Sequence, residues 1–373
     1  MKLNGGRGEA KSYKFCKEFF SGIIVEYISM KNLGLLVFFI FLLMPVLLPA
    51  QNSFKKVKEE LIFLNAPFAQ CHASTLVETA NGEILAAWFG GTQEGSKDVK
   101  IWTSVNRKGK WTYPVELAAG NFGAAGTFPL WNPVLFKSSE DIIFLFYKAG
   151  PNPREWWGMY KTSADQGKTW SEAVRLPDGI LGPIKNKPIQ LTDGTILSPS
   201  STETMENWKV HIERSTDQGQ TWHKISVDPE TEFGVIQPSI LTYPDGRLQI
   251  LCRSRQGNVI ESWSNDQGLS WSKMKRTELL NPNSGTDALT LSDGSQLIVY
   301  NPLIPGKEWF NGRFKLNIAQ SLDGKNWKDV LYLEDGTKEE YSYPAIIQTS
   351  NGLVHISYTF DRKNIKYLVI ENK

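Results

Sequence analysis

Short apolar runs alternating with polar residues recur along the chain, and many come in pairs around a turn. Such pairs lie at Leu76–Leu85 around Asn81-Gly82, at Ile189–Leu197 around Asp193-Gly194 and at Ile240–Ile250 around Asp245-Gly246. They return at Leu289–Ile298 around Asp293-Gly294 and at Ile346–Ile356 around Asn351-Gly352. Asn-Gly and Asp-Gly between apolar runs are strong hairpin signals, because the favoured two-residue turns need positive φ at both central residues. A sixth pair, Val134–Phe146, turns at Ser138-Ser139-Glu140-Asp141 without the glycine.

A second pattern interlocks with the hairpins. Ser163-x-Asp165-x-Gly167-x-x-Trp170 recurs as Ser215-x-Asp217-x-Gly219-x-x-Trp222 and as Ser264-x-Asp266-x-Gly268-x-x-Trp271. Ser321, Asp323, Gly324 and Trp327 form a copy one residue short, and Ser104, Gly109 and Trp111 remain from a worn one. A period of about 50 residues is that of propeller blades. Six hairpins and five copies of the phrase therefore predict an all-β, six-bladed β-propeller with about four strands per blade. The last blade lacks the phrase and is expected to close the ring by pairing with a strand near Leu61–Leu64. Within the phrase the Asp side chain holds a tight turn through backbone amides, Gly takes the conformation other residues resist, and Trp packs between sheets. A group repeated once per blade is scaffolding, since a catalytic site needs one asymmetric constellation.

Composition narrows the picture only modestly. A chain of 373 residues is long enough for a large core, and a formal net charge of +2 without a basic block gives no case for nucleic acid. From Met30 a short basic start, an apolar run interrupted by Pro45 and the small Ala50 predict a secretory signal peptide over 30–50, cut near Ala50. A membrane anchor is the alternative. Residues 1–29 read as an upstream extension, leaving 51–373 as the propeller and an exported, periplasmic or extracellular monomer without a membrane span. Cys16 lies in the extension, while Cys71 and Cys252 sit in apolar runs, match no metal spacing and are expected as buried free thiols.

The repeated phrase on six blades resembles the Asp-box (BNR) repeat of the sialidase superfamily, over roughly residues 60–370. That resemblance implies an active site over the central channel, on the face opposite the boxes, where each innermost strand delivers residues ahead of its hairpin. The ring so defined offers His72, Trp131, Asn186, Lys187, Gln237, Asp287, Tyr341 and Tyr343. Polar residues converging from separate blades suit a hydroxyl-rich ligand. Sialidases hold their substrate's carboxylate with three arginines, and guanidinium matches carboxylate as a planar fork. Arg253 and Arg313 resemble the second and third, while His72 stands where the resemblance puts the first.

Other positions depart similarly. The resemblance places the nucleophile at Tyr343, with Tyr341 two residues earlier on the same side, and places Gln237 where sialidases carry a Glu. Gln cannot act as a general base, so Tyr343 is either a binding residue or uses another base such as Glu340 or Glu203. The Gly90–Asp98 loop corresponds to the one bearing the catalytic acid, so Asp98 and then Glu94 are the candidates. His211 and Glu213 read equally as a surface pair or a channel pair, His223 as a surface residue and His355 as a core histidine bonded to backbone. The resulting expectation is an exported sialidase-like exo-glycoside hydrolase removing a terminal, acidic sugar from a glycan, with no metal or cofactor required. A carbohydrate-binding propeller without catalysis, or a polysaccharide lyase using His72 and Tyr343 on a uronate, are the alternatives.

Overall fold

The computed structural model describes residues 54–308 and 310–372, so the expected extension over 1–29, the expected signal over 30–50 and Cys16 lie outside the described residues. Strand β1 is Phe54–Leu61. The first blade follows as β2 (Gln70–Glu78), β3 (Ile84–Gly91), β4 (Lys100–Arg107) and β5 (Lys110–Trp111), with β6 (Val115–Ala118) also paired to β4. The second is β7 (Leu130–Lys137), β8 (Ile143–Ala149), β9 (Trp157–Ser163) and β10 (Val174–Arg175). The third is β11 (Ile189–Gln190), β12 (Ile196–Glu203), β13 (Trp208–Ser215) and β14 (His223–Ser226), and the fourth β15 (Val235–Thr242), β16 (Leu248–Ser254), β17 (Asn258–Ser264) and β18 (Lys275–Leu280). The fifth is β19 (Asp287–Thr290), β20 (Gln296–Tyr300), β21 (Lys315–Ser321) and β22 (Lys328–Asp335). The sixth runs β23 (Tyr341–Gln348), β24 (Val354–Phe360) and β25 (Asn364–Asn372), and β1 completes it. The fold is the six-bladed propeller that the hairpin and phrase patterns predict.

Ring closure differs in position from the expectation. The closing strand is β1, pairing antiparallel from Phe54↔Asn372 to Leu61↔Lys366, so it ends near where a strand was expected to begin. Behind the buried Phe54 its residues alternate between partly covered and exposed, marking a half-covered outer strand, a pattern that the charged sequence Lys55–Glu60 disguised. Apolar clusters fill each interface between neighbouring blades. One joins Leu85 and Phe89 to Leu130 and Leu145, and another joins Leu76 and Trp88 of the first blade to Ile347 and Tyr367 of the last.

Each repeated phrase is a hydrogen-bonded turn after a blade's third strand. In the second blade the Ser163 hydroxyl donates to Asp165 and accepts from the Gly167 amide, while Asp165 also accepts from the Thr169 amide and hydroxyl. Gln166 and Gly167 sit at positive φ, 65° and 80°. Gly167 lies against Leu85 of the preceding blade, so the turn also sets how closely two sheets approach. Cys71 and Cys252 are buried free thiols, as expected.

The pair His211 and Glu213 is neither at the surface nor in the channel. Glu213 accepts from the Leu181 and Gly182 amides and from the His211 ring, fully buried between the second and third blades. Lys148, also fully buried, donates to the Pro183 carbonyl, and burial pushes its ammonium down to about 7 against the attraction of Glu213. Alternation along β13 gave no sign that both its faces are covered. His355 is a core histidine, but its partners are the Tyr367 and Thr349 hydroxyls instead of backbone.

Candidate active site

Antiparallel order alone divides the functional ends of the blades. The start of a first strand, the end of the second and the start of the third meet at one face, and the hairpins and boxes lie at the other. Arg253 is the penultimate residue of β16, Glu203 ends β12, Arg313 precedes β21 and Arg362 follows β24, so all open on the face away from the boxes. The loop after β3 that carries Glu94 and Asp98 opens there too.

Innermost strands are broken where they reach this face. The pairing register shifts between His72 and Thr75, Trp131 and Val134, Ile236 and Ser239, and Ser342 and Ala345. Inside these bulges Ala73, Asn132, Gln237 and Tyr343 adopt φ of 56°, 41°, 56° and 53°. A bulge re-aims side chains that strict alternation would send elsewhere, at a cost in backbone strain. It also corrects one expectation: Tyr341 and Tyr343 do not share a side. Tyr341 is buried in the core between the fifth and sixth blades against Phe360, whereas Tyr343 turns towards Gln237, Arg253 and His72.

The centre of the site is a set of cations around Tyr343. Arg253 donates from Nη1 to the Tyr343 hydroxyl at 2.7 Å and from Nε to Asn283 Oδ1 at 2.8 Å. Arg313 donates from Nη2 to the Asn283 carbonyl and from Nη1 to Glu340, both at 3.1 Å. Two guanidiniums from different blades thus meet on one asparagine. Gln237 sits beside them, its amide 3.4 Å from the Tyr343 hydroxyl and its carbonyl 3.4 Å from Arg253 Nη1. His72 lies on the other side, its ring centroid 4.1 Å from that of Tyr343. It is 1% exposed, and neither ring nitrogen has a hydrogen-bond partner among the described residues. Burial first, then the charges of Arg362, Arg313, Arg253 and Lys185, hold it well below the usual imidazole range, hence neutral.

Arg362, in the turn between β24 and β25, had no signal in the sequence beyond its charge. Its Nε donates to Glu340 at 2.8 Å and its Nη1 pairs with Glu94. Glu340 therefore bridges Arg313 and Arg362 and accepts from the Ser342 hydroxyl as well. Burial works to raise its carboxyl, but Arg362, Arg313 and Ser342 outweigh it and leave it below the usual range. So engaged, Glu340 is a poor proton acceptor for Tyr343. Glu94 likewise belongs to Arg362 and does not stand ready as an acid.

Four candidates from the ring, Asp287, Lys187, Asn186 and Trp131, serve the channel walls. Asp287 accepts from Ser239 Oγ and its own neighbour Ala288 N on one oxygen, and from Lys187 Nζ and Ile346 N on the other. That saturated carboxylate ties four blades together. Asn186 donates to the Gln237 carbonyl and accepts from Lys185. Lys185 spends its three donors on Asn186, the Thr286 carbonyl and the Pro344 carbonyl, and burial pushes it down to about 7. Trp131 is buried, donating to the Gly150 carbonyl and packing on Phe89 and Trp156. These residues shape the site from beneath.

Two carboxylates remain for proton transfer. Asp98 accepts from the Thr92 amide and hydroxyl on a single oxygen, which pins its exposed loop. Glu203 sits at the rim; burial raises its carboxyl, opposed by Arg253 and Arg255 and supported by Glu94. Next to it Trp208 carries Arg255 over its ring at 4.0 Å and Arg253 at 5.5 Å. A cavity of about 460 Å³ continues outward past Glu340 and Arg362, with Gln70, Phe314 and Asp361 in its wall. No cluster of three or more His, Cys, Asp or Glu among the described residues could hold a metal ion.

Residues 82–356 match the model of the BNR repeat-like domain family. A curated sialidase of Bacteroides fragilis is 23% identical over 322 residues, covering 73% of this chain. The match takes in 57% of that protein, so the chain spans little more than half of the relative's length. Among solved structures, a Dyadobacter fermentans protein of unknown function superposes with a TM-score of 0.71 at 18% identity, covering 86% of this chain and all of the other. The NanB sialidase of Streptococcus pneumoniae gives 0.64 at 14% identity, over 84% and 70% of the two chains. Trypanosoma rangeli sialidase gives 0.66 at 15%, over 82% and 55%. Identities this low carry the fold alone.

Proposed function

Since the chain belongs to the BNR repeat-like domain family, we propose that it is a sialidase-like exo-glycoside hydrolase that holds the carboxylate of a terminal acidic sugar over its channel. Export behind a signal peptide cut near Ala50 fits a glycan substrate outside the cell. The observation that carries the reading is the meeting of Arg253 and Arg313 on Asn283, beside the Tyr343 hydroxyl. Two guanidiniums brought from separate blades onto one asparagine place their planar forks together at the channel, an arrangement that suits a carboxylate.

Tyr343 then faces the sugar's anomeric centre. With Gln237 as its neighbour and Glu340 engaged by two arginines, it lacks a strong base, and its part is to bind and to stabilise developing positive charge. The leaving oxygen takes its proton from Glu203, whose environment favours the protonated acid. Asp98 is the competing donor, on the position the resemblance assigns. Turnover of an aryl glycoside of an acidic sugar separates them: Glu203→Gln should lower kcat about 100-fold or more, while Asp98→Asn stays within a few-fold of the parent. The reverse result transfers the acid role to Asp98, and activity retained in both removes hydrolysis by this route.

One observation favours a second reading. A neutral imidazole packed on a tyrosine within a basin of cations is also an arrangement for β-elimination at a uronate, His72 taking the C5 proton and Tyr343 protonating the leaving oxygen. Ultraviolet absorbance of an unsaturated product from uronate-containing glycans would establish it, and reducing ends released without absorbance would exclude it.

A further inference from the structure

His72 is the residue of the site whose state is least settled by its neighbours. Its two ring nitrogens are buried and unpartnered, an expensive condition for polar atoms. What faces it comes from every element around. Phe89 of β3 meets the ring edge-on, its centroid at 5.6 Å, and Tyr343 of β23 covers one side. Glu94, Cys71 and Arg362 line the same small cavity. Arg253, Arg313 and Lys185 act on it from the fourth, fifth and third blades. Glu340 offsets Arg313 and Arg362 in part.

Resting on the reading that Arg253 and Arg313 hold a carboxylate, we propose that His72 is the proton-coupled positioning residue of that site: seating an anion draws a proton from solvent onto its imidazole. The electrostatic reason is direct. Cations disfavour imidazolium in the empty site, and an anion placed among them cancels much of that repulsion. Linkage makes the effect reciprocal, so a protonated His72 tightens anion binding by the same factor that the anion favours protonation. The sign follows. With the free pKa low and the ligand-bound pKa higher, one proton is taken up per ligand between the two values. Affinity there rises as pH falls, by up to about tenfold per pH unit for a single coupled proton. A permanent guanidinium at this position would bind at all pH values; an imidazole confines tight binding to acidic surroundings.

The test uses the full chain with N-acetylneuraminate and glucuronate as probes and their methyl esters as uncharged controls. Calorimetric titration in two buffers of different ionisation enthalpy, at about pH 5 to 8, counts protons taken up. The wild type should take up a substantial fraction of a proton with the acids and none with the esters. His72→Gln should lose that uptake and its pH slope, and His72→Arg should bind with little pH dependence. Unchanged uptake in His72→Gln assigns the proton to Lys185 or Glu203 and overturns the proposal. Failure of the wild type to bind either acid at any pH removes the carboxylate site itself, a different result from bound acid without proton uptake. If the variants do not fold, the His72 ring resonances of the wild type, one of only four histidines, give the same answer. Their titration midpoint should rise by more than one pH unit on saturation, and an unmoved midpoint overturns the inference.

Discussion

At the scale of single residues, the site turns on which neighbours each charged group already has. Tyr343 is polarised by Arg253 but faces an amide at Gln237, where the resemblance puts a carboxylate. Gln237→Glu places a proton acceptor about where the amide now stands, 3.4 Å from the Tyr343 hydroxyl. If Tyr343 is held back only by the missing base, kcat on an acidic aryl glycoside should rise about tenfold to 100-fold, towards the range that general bases contribute. The same carboxylate partly neutralises Arg253, so KM should rise as well. A fall in kcat would show that Tyr343 acts through binding alone. Residue identities such as Arg253, Arg313, Gln237 and Tyr343 were legible because they stand at fixed distances from hairpin turns. Arg362 was not, since it lies in a turn after a second strand, where no spacing singles out one charge. The partners that decide roles, Glu340 on two arginines and Asp287 on four donors, exist only once six blades are brought together.

The elements obey their own signals more faithfully than the site does. Hairpins form at the expected Asn-Gly and Asp-Gly pairs, but the expectation of positive φ at both central residues fails. Only the glycine takes it, in a longer turn closed by bonds such as Gly82 N to Thr79 O and Thr79 N to Glu83 O. Asp141 takes that place, at 60°, where the second blade lacks the glycine. Period-2 alternation fails where the candidate site lies. Bulges interrupt β2, β7, β15 and β23, the last turning Tyr343 away from Tyr341, and nothing in a run of apolar and polar letters marks a residue that will sit at positive φ. The box turns can be tested as elements. Asp165 and Asp217 are each held down to about 2, chiefly by the Thr169 and Thr221 hydroxyls, then by the amides of the same residues. A folded-state pKa below the unfolded value near 3.8 means stabilisation that is full above it and lost as pH falls towards 2. Asp217→Asn should therefore lower Tm by a few degrees near neutrality while narrowing its gap to the wild type between about pH 4 and 2. Thermal scans across that range check it. A gap that stays constant would show that the charge of Asp217 adds nothing to its turn.

Across the whole molecule the ring has one seam, and it lies between the chain's first described strand and its last. Every other blade is built from consecutive strands, so its sheet closes locally. Only the sixth borrows β1 from the other end of the propeller, through seven paired residues from Phe54↔Asn372 to Leu61↔Lys366. The repeat period made six blades legible from sequence, but not which residues close them: Lys55–Glu60 is charged, and a strand covered on one face beside a sheet edge needs few apolar residues. Two further ties hold the seam from outside the ladder. Lys366 pairs with both Glu59 and Glu334, and Lys58 donates to the Gly109 carbonyl of the first blade. Removing residues 54–61 should thus do more than shorten an end. It strips β25 of its partner, opens Phe54's place in the core between the fifth and sixth blades and loosens the contact of the sixth with the first. Because the groups of the candidate site come from separate blades, Arg362 and Tyr343 in the sixth against Arg253 in the fourth, their convergence depends on the seam staying shut. The shortened chain should melt well below the full propeller, elute partly as oligomers through its bare edge strand, and lose binding of acidic sugars along with stability. Calorimetry and size-exclusion chromatography on the two chains decide it. A monomer of unchanged Tm would mean that interblade packing alone closes the ring, and that β1 is a cover instead of a latch.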